Sequence, residues 1–284
     1  MVSYVYVVLY IVFCIYNVKK GFKIFSLIKI MILAEKYSLI KQIGNGSYGY
    51  VFQGENIRTK QPVAIKIEIK EHDINMIKRE AQIYQYLAPK KGIPQVKYYG
   101  TTDKYNFMVL PLLGNSLNQP VAECRVERPN TFSLDEVITI GKNMIDIIEY
   151  VHSKKLIHRD LKPENFLFGL DPGKTLHLID FGFCKKYIDK YDNHIMCNNG
   201  KTLVGSINYA SINIHNGMEA SRRDDMESIV YILLFLLNGN VPWNNLPINA
   251  VKERKIRILY DTNINPIITR LFILCRNLNF NETP

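Results

Sequence analysis

His158-Arg159-Asp160-Leu161-Lys162-Pro163-Glu164-Asn165, followed downstream by Asp180-Phe181-Gly182, is the stretch that decides how this chain folds. Asp160 is a carboxylate suited to accept the proton of an attacking hydroxyl, and Lys162 supplies positive charge to a phosphoryl group in transfer. Asn165 can bind a metal through its amide oxygen. Asp180 offers a carboxylate to another face of the same Mg²⁺. A basic turn followed by an acidic turn does not account for an eight-residue run and a triplet at workable spacing.

Upstream, Ile43-Gly44-Asn45-Gly46-Ser47-Tyr48-Gly49-Tyr50-Val51 holds the pattern G-x-G-x-x-G-x-V. A dinucleotide-binding turn has the same glycines, but it opens a helix behind a buried strand. Here the glycines lie between Tyr37–Ile43 and Tyr50-Val51-Phe52, both strand-like. A hairpin whose tip lacks side chains, laying its backbone amides over phosphates, is the better reading; a plain glycine turn is the alternative. Lys66, in Val63-Ala64-Ile65-Lys66, would be an ordinary edge charge unless a carboxylate reaches it. Glu80, on the following helix, is the expected partner, and the pair would hold the ammonium against the α- and β-phosphates. Glu71 is nearer in sequence, but it precedes the helical period and reads as solvent-facing. Val51 and Ala64 would roof an adenine ring. In this chain order the set predicts a protein kinase that uses ATP and Mg²⁺.

The periodicities around these motifs predict an α+β fold. Tyr37–Ile43, Tyr50–Gly54 and Pro62–Ile69 are β-rich runs parted by turns, an antiparallel meander. His72–Leu87 carries apolar residues at Ile74, Ile77, Ala81, Tyr84 and Leu87, the period of a helix. Two more short strands, Lys97–Gly100 and Asn106–Leu110, precede a change of character near Leu112–Asn115. Beyond it Ser133–Ser153 and Asp225–Leu237 read as helices. The expected organisation is an extension (1–34) and one catalytic domain (35–284), β-rich over 35–111 and mainly helical over 112–284.

Composition agrees. Apolar residues make 47% of the chain and charged residues 22%, which excludes disorder, a collagen-like repeat and a polytopic membrane protein. Five scattered cysteines without a C-x-x-C pair argue for a reducing compartment and against a disulfide framework or a zinc site. The net charge of +10 suits nucleic acid, a membrane surface or an acidic substrate alike. Residues 1–30 contain Lys19, Lys20, Lys23 and Lys29, no acid, and an uncharged run from Tyr4 to Tyr16. A signal peptide has its charge before the apolar run, not after it. A membrane anchor wants about 20 apolar residues, more than this run holds. A chain that truly starts at Met31 and a packed extension are the other readings, and the first of these is the expected one.

Tyr209-Ala210-Ser211-Ile212-Asn213 followed by Ser221-Arg222-Arg223-Asp224-Asp225 stands where kinases generally place Ala-Pro-Glu, and it closely resembles the casein kinase I family. Leu112-Leu113-Gly114 with Ser116-Leu117, Lys185-Lys186-Tyr187 and Val241-Pro242-Trp243 fit the same family, over about residues 35–284. The resemblance implies a bilobal fold and ATP-dependent phosphorylation of serine and threonine, an acceptor type that Lys162 also favours. It implies that Asp160 accepts the proton, that Lys162 and Ser206 steady the phosphoryl group and substrate, and that Asn165 and Asp180 hold Mg²⁺. Leu113 would offer its backbone amide to adenine and Leu167 a floor beneath it. Asp225 would brace the catalytic loop from below. The implied partners are protein substrates, acidic ones among them, met by a monomer in the cytoplasm or nucleus. Nucleic acid is not expected as a primary partner, and a membrane only if residues 1–30 are an anchor.

Three departures from the family pattern bear on this. Asn208 stands where the family has a basic residue that reads acidic or phosphorylated substrate, and the run Lys252, Arg254, Lys255, Arg257 could supply part of that anion site. Ser206 replaces threonine and keeps the hydroxyl. The sequence ends where the family has a final helix, so Ile268, Leu271 and Phe272 are expected to be exposed. A catalytically weak, ATP-binding scaffold, with membrane tethering as an option, is the alternative function. His177, Trp243 and Cys184 read as structural.

Overall fold

The computed structural model describes residues 32–46, 49–70, 75–119, 131–171 and 175–284. The N-terminal segment, Ser47 and Tyr48 at the glycine tip, and Glu71 lie outside these residues. The chain divides into two compact units, 1–78 with 96–112, and 79–95 with 113–284. A curled antiparallel sheet dominates the first and helices the second, so the fold is α+β.

The first unit is built on β1 (Ile32–Leu33), β2 (Tyr37–Gly46), β3 (Gly49–Asn56), β4 (Pro62–Ile69), β5 (Tyr98–Thr101) and β6 (Tyr105–Pro111), in sheet order β1-β2-β3-β4-β6-β5. Alternation along each strand puts one set of side chains into a core of Leu33, Tyr37, Leu39, Val63, Ile65, Ile67, Tyr105, Phe107 and Val109. Residues directly opposite across an antiparallel pair share a face. The pairs Gly44↔Val51, Val51↔Lys66, Gln53↔Ala64 and Lys66↔Met108 therefore line the face that the core does not use.

Helix α1 (Met76–Leu87) starts four residues later than the apolar period suggests, with residues 72–74 outside the described set. Its start is fixed by polar groups. Asn75 Oδ1 accepts from the Lys78 N–H at 2.7 Å, and the buried Glu68 carboxylate accepts from the Met76 N–H at 3.1 Å.

In the second unit, α2 (Leu134–Ser153) opens on a reciprocal cap between Ser133 and Glu136, a signature visible in the sequence. It packs against α4 (Arg222–Asn238), which is buried on nearly every side and so forms the centre of this unit. The short α3 (Ile212–His215), α5 (Ile248–Arg257) and α6 (Pro266–Asn277) surround it. Between α2 and α3 come β7 (Leu156–Ile157), β8 (Phe166–Phe168), β9 (Leu176–Leu178) and β10 (Lys185–Lys186), as the antiparallel pairs β7–β10 and β8–β9. Trp243 is buried edge-on to Tyr231, and its Nε1 donates to the Asn208 carbonyl at 2.9 Å. Among the described residues no helix is long and apolar enough to cross a membrane.

The expected exposure on α6 is corrected. Ile268 and Phe272 are buried, together with Cys275, because this i, i+4, i+7 set faces α4, where Phe272 meets Tyr231 with ring centroids 5.0 Å apart. Leu271 is half-buried. The apolar residues that α6 does expose are Ile267, Ile273 and Leu274.

Candidate active site

The catalytic loop joins β7 to β8 through a short 3₁₀ turn, Pro163–Asn165. Its centre is the Asp160 carboxylate, which is nearly buried. Oδ1 accepts from both the backbone N–H and the hydroxyl of Ser206, each at 2.8 Å. Oδ2 accepts from the Lys162 ammonium at 2.7 Å. The Asp160 carbonyl accepts from Asn165 Nδ2 at 2.8 Å, which leaves the Asn165 amide oxygen as the group to offer a cation. Asp160, Lys162, Asn165 and Ser206 are thus one bonded cluster, although Ser206 lies 46 residues from Asp160. Gly205 makes that approach possible. Its φ is +95°, and a Cβ there would collide with the Arg159 carbonyl oxygen and crowd Asp160 Oδ1.

Asp180 is tied to the same cluster through the backbone, because the Ile179 N–H donates to the Asn165 carbonyl at 2.9 Å. Asp180 itself has left-handed backbone angles (φ 65°, ψ 68°), uncommon for a residue with a side chain. Its N–H is held by the Tyr84 hydroxyl at 3.0 Å. Tyr84 lies one helical turn from the buried Glu80 on α1, and its ring meets Phe181 edge-on at 4.9 Å. The sequence shows Tyr84 only as a point in an apolar period; nothing in it marks the hydroxyl as a support for Asp180.

His158 joins the two halves of the loop. Its ring Nδ1 accepts from the Asp160 N–H at 3.3 Å and Nε2 lies 3.2 Å from the Ile179 carbonyl, a pattern satisfied by the neutral Nε2–H tautomer. Burial pulls its pKa down against the pull of nearby carboxylates, in keeping with a neutral ring.

Beneath the loop, Asp225 at the start of α4 accepts from the His158 N–H (2.8 Å), the Arg159 N–H (2.9 Å) and His152 Nε2 (2.9 Å). Burial works against its charge, yet the bonds from the His152 ring and the His158 N–H hold the carboxyl below the usual range. Arg159 is thereby fixed at φ 70°, and its Nε reaches the Phe183 carbonyl at 2.6 Å.

The remaining residues divide between the units. In the first, Gly44, Val51, Ala64 and Lys66 share one sheet face, with Ile43 and Asn45 on the same hairpin strand and Gly46 paired with Gly49 at its end. Gly49 has φ +149°, and a Cβ there would strike the Ile67 carbonyl. In the second, the Gly114 N–H donates to the Phe168 carbonyl at 2.7 Å and Ser116 bridges to Leu167, so the segment after Leu113 runs beside the strand that carries Leu167. One expectation about the periphery changes. Lys255 is fully buried and Arg254 is bonded to Asp261 at 2.8 Å, so the basic run on α5 is not a continuous exposed cluster. Burial pushes the Cys184 thiol up to about 12, which makes it unreactive.

A glycine hairpin opposite a strand lysine, and a bonded Asp–Lys–Asn cluster followed by Asp-Phe-Gly, now stand in one chain in the order expected from the sequence. The family model described as protein kinase domain matches residues 37–270, and with that match this chain belongs to the protein kinase domain family.

Proposed function

We propose that the chain is a serine/threonine kinase resembling the casein kinase I family, which transfers the γ-phosphoryl group of ATP to protein hydroxyls with Mg²⁺. The observation that carries this is the Asp160 carboxylate, held at one oxygen by Ser206 and at the other by Lys162. As the acceptor oxygen bonds to the γ-phosphorus and the bond to the β-phosphate oxygen breaks, the acceptor's proton passes to Asp160 and ADP leaves. Lys162 steadies the charge on the group in flight, and Ser206 fixes the direction of the carboxylate.

Asn165 and Asp180 suit Mg²⁺. Both offer oxygen, the Asn165 carbonyl is bonded by the N–H of Ile179 next to Asp180, and a magnesium site completes itself with phosphate and water rather than with a full protein cage. When bound, the ion neutralises the phosphates. For the nucleotide, residues 43–49 would cover the phosphates, Lys66 with Glu80 would fix them, Val51 and Ala64 would roof the adenine, and Leu113 and Leu167 would take its edge and floor.

Full-length protein incubated with ATP, Mg²⁺ and casein should yield phosphoserine and phosphothreonine on acid hydrolysis. Phosphotyrosine alone would overturn the acceptor assignment, and nucleotide binding without transfer would support the scaffold reading.

The preference for acidic or phosphorylated peptides is expected to be small. Asn208 Nδ2 donates to Asn244 Oδ1 at 3.2 Å, and Arg254 and Lys255 are engaged elsewhere. A charge-assisted bond is worth about 1.5–3 kcal/mol, so Asn208→Arg should raise the ratio of primed to unprimed peptide phosphorylation by about ten- to a hundredfold. A wild-type enzyme that already favours primed peptides that strongly would show that other basic groups do this work.

A further inference from the structure

Lys255 shares the inward face of α5 with Val251, and its side chain is fully buried. The amine donates to the carbonyl of Ile207 at 2.8 Å and of Ala210 at 2.6 Å, and lies 3.2 Å from His215 Nε2. The rings of Tyr231 and Trp243 flank it, with centroids 4.4 and 5.4 Å away. The carbonyl of Asn208, inside the same segment, is taken by Trp243 Nε1. This segment begins one residue after Ser206, which is bonded to Asp160. A hydroxyl brought to Asp160 arrives next to Ser206, where this segment starts, and Ile207 is 42% exposed.

We propose that Lys255 is a positioning residue for the acceptor peptide, holding residues 207–210 in the shape that binds it. This rests on the reading of Asp160 as the proton acceptor. An apolar side chain would fill the same space without the cost of burying an amine, so the two carbonyl bonds are what a lysine adds here.

The charged and titratable groups around the amine are His215 on α3, Glu227 and Tyr231 on α4, and Arg276 on α6. Glu227 is bonded by the Tyr231 hydroxyl at 2.6 Å and by Arg276 Nε at 3.1 Å, while Arg276 Nη2 donates to the carbonyl of Lys255 itself at 3.0 Å. Burial brings the Lys255 amine down to about 7, with Glu227 opposing and Arg276 adding to the fall. Burial, then the charges of Lys255 and Lys252, takes His215 to about 4, so its ring is neutral in the working range.

As an ammonium, Lys255 has three N–H groups for the Ile207 carbonyl, the Ala210 carbonyl and His215 Nε2. As an amine it keeps two for the carbonyls, and its lone pair faces His215 Nε2, which can carry hydrogen in the other tautomer. The Ile207 and Ala210 carbonyls keep N–H donors in either state, and His215 Nε2, which also lies 3.1 Å from the Ile207 carbonyl, can carry its hydrogen there once the ammonium is lost, so the proton can leave without unfolding the site. The strength of the hold changes, because charge-assisted hydrogen bonds are roughly twice as strong as neutral ones. Peptide binding should therefore weaken as pH rises through about 7. Stability should move the other way. The unfolded chain keeps this proton to about pH 10.4, so between the two values it binds more protons than the fold, and the Lys255 contribution to stability rises with pH.

The test uses full-length protein and a fluorescein-labelled acidic peptide with one serine and no histidine or phosphate, with Kd read by anisotropy and peptide KM and kcat by turnover, from pH 6 to 8.5. Wild type should show Kd and KM rising about fivefold across neutrality while kcat and the KM for ATP stay level. Lys255→Met should bind about tenfold more weakly at pH 6 and show no inflection. A flat wild-type Kd overturns the proposal whether or not the variant folds, and so does an inflection that persists in a folded Lys255→Met. Phosphate transfer with a flat Kd leaves the kinase reading standing; an inflection in Kd without transfer removes that reading and leaves Lys255 as a peptide-binding device.

Discussion

Asp160→Asn is expected to lower turnover by about 10²–10⁴, the usual worth of a positioned general base, while nucleotide affinity stays within about twofold. The amide keeps the shape of the carboxylate, and its oxygen can still accept from the Ser206 N–H and hydroxyl. What it loses is basicity at the atom that would take the proton. It also turns an N–H₂ towards Lys162 Nζ, which now bonds to Oδ2, so two donors would face each other and the ammonium would move away. A thermal melt close to wild type, with unchanged nucleotide binding, would place the loss in the chemical step. Turnover like wild type would mean that Asp160 is not the proton acceptor. Lys162→Met separates the two effects, because it removes the charge and leaves the base.

The parts of this arrangement that depend on local pattern were legible in the sequence. Period-two alternation in Val63–Ile69 assigns Val63, Ile65 and Ile67 to the core and Ala64 and Lys66 to the opposite face, as the sheet has them. What the sequence did not show depends on partners far along the chain. The start of α1 is set in part by Glu68, and the Asp160 carboxylate is oriented by Ser206. No local period encodes either. Lys255 is the instructive error. Beside Lys252, Arg254 and Arg257 it reads as one more surface charge, yet it falls four residues after the buried Val251 and three before the buried Ile258. That spacing puts it on the apolar face of the helix, and weighing position above residue type would have found it. On α6 residue type and position agree: Ile268, Phe272 and Cys275 recur at helical spacing, and that period assigns them to the face against α4.

Removing Asp225 should show how far the catalytic loop depends on a group that never touches substrate. Its carboxylate takes three donors, the N–H groups of His158 and Arg159 and the ring of His152. In Asp225→Ala all three are left buried without an acceptor, and the expected loss of stability is about 3–5 kcal/mol, as for removing one partner of a buried ion pair. For a chain of this size that lowers Tm by on the order of 10 °C. Asp225→Asn keeps one acceptor oxygen and should fall between. Arg159 sits at φ 70°, a conformation that its own side chain disfavours, so without the two backbone bonds it should relax and carry Asp160 with it. A displacement near 1 Å is enough to cost about 10² in turnover. The dependence on acid gives a second signature. The folded pKa of Asp225 lies below its unfolded value, so its contribution to stability is present above about pH 3.9 and is lost as pH falls through the lower folded value. Wild type should therefore lose stability over that acid range by an increment that Asp225→Asn, having no proton to bind there, does not lose. Equal acid sensitivity in the two proteins would mean that the carboxyl is not held ionised by these bonds. Full activity in a folded Asp225→Ala would mean that the loop keeps its shape without a brace.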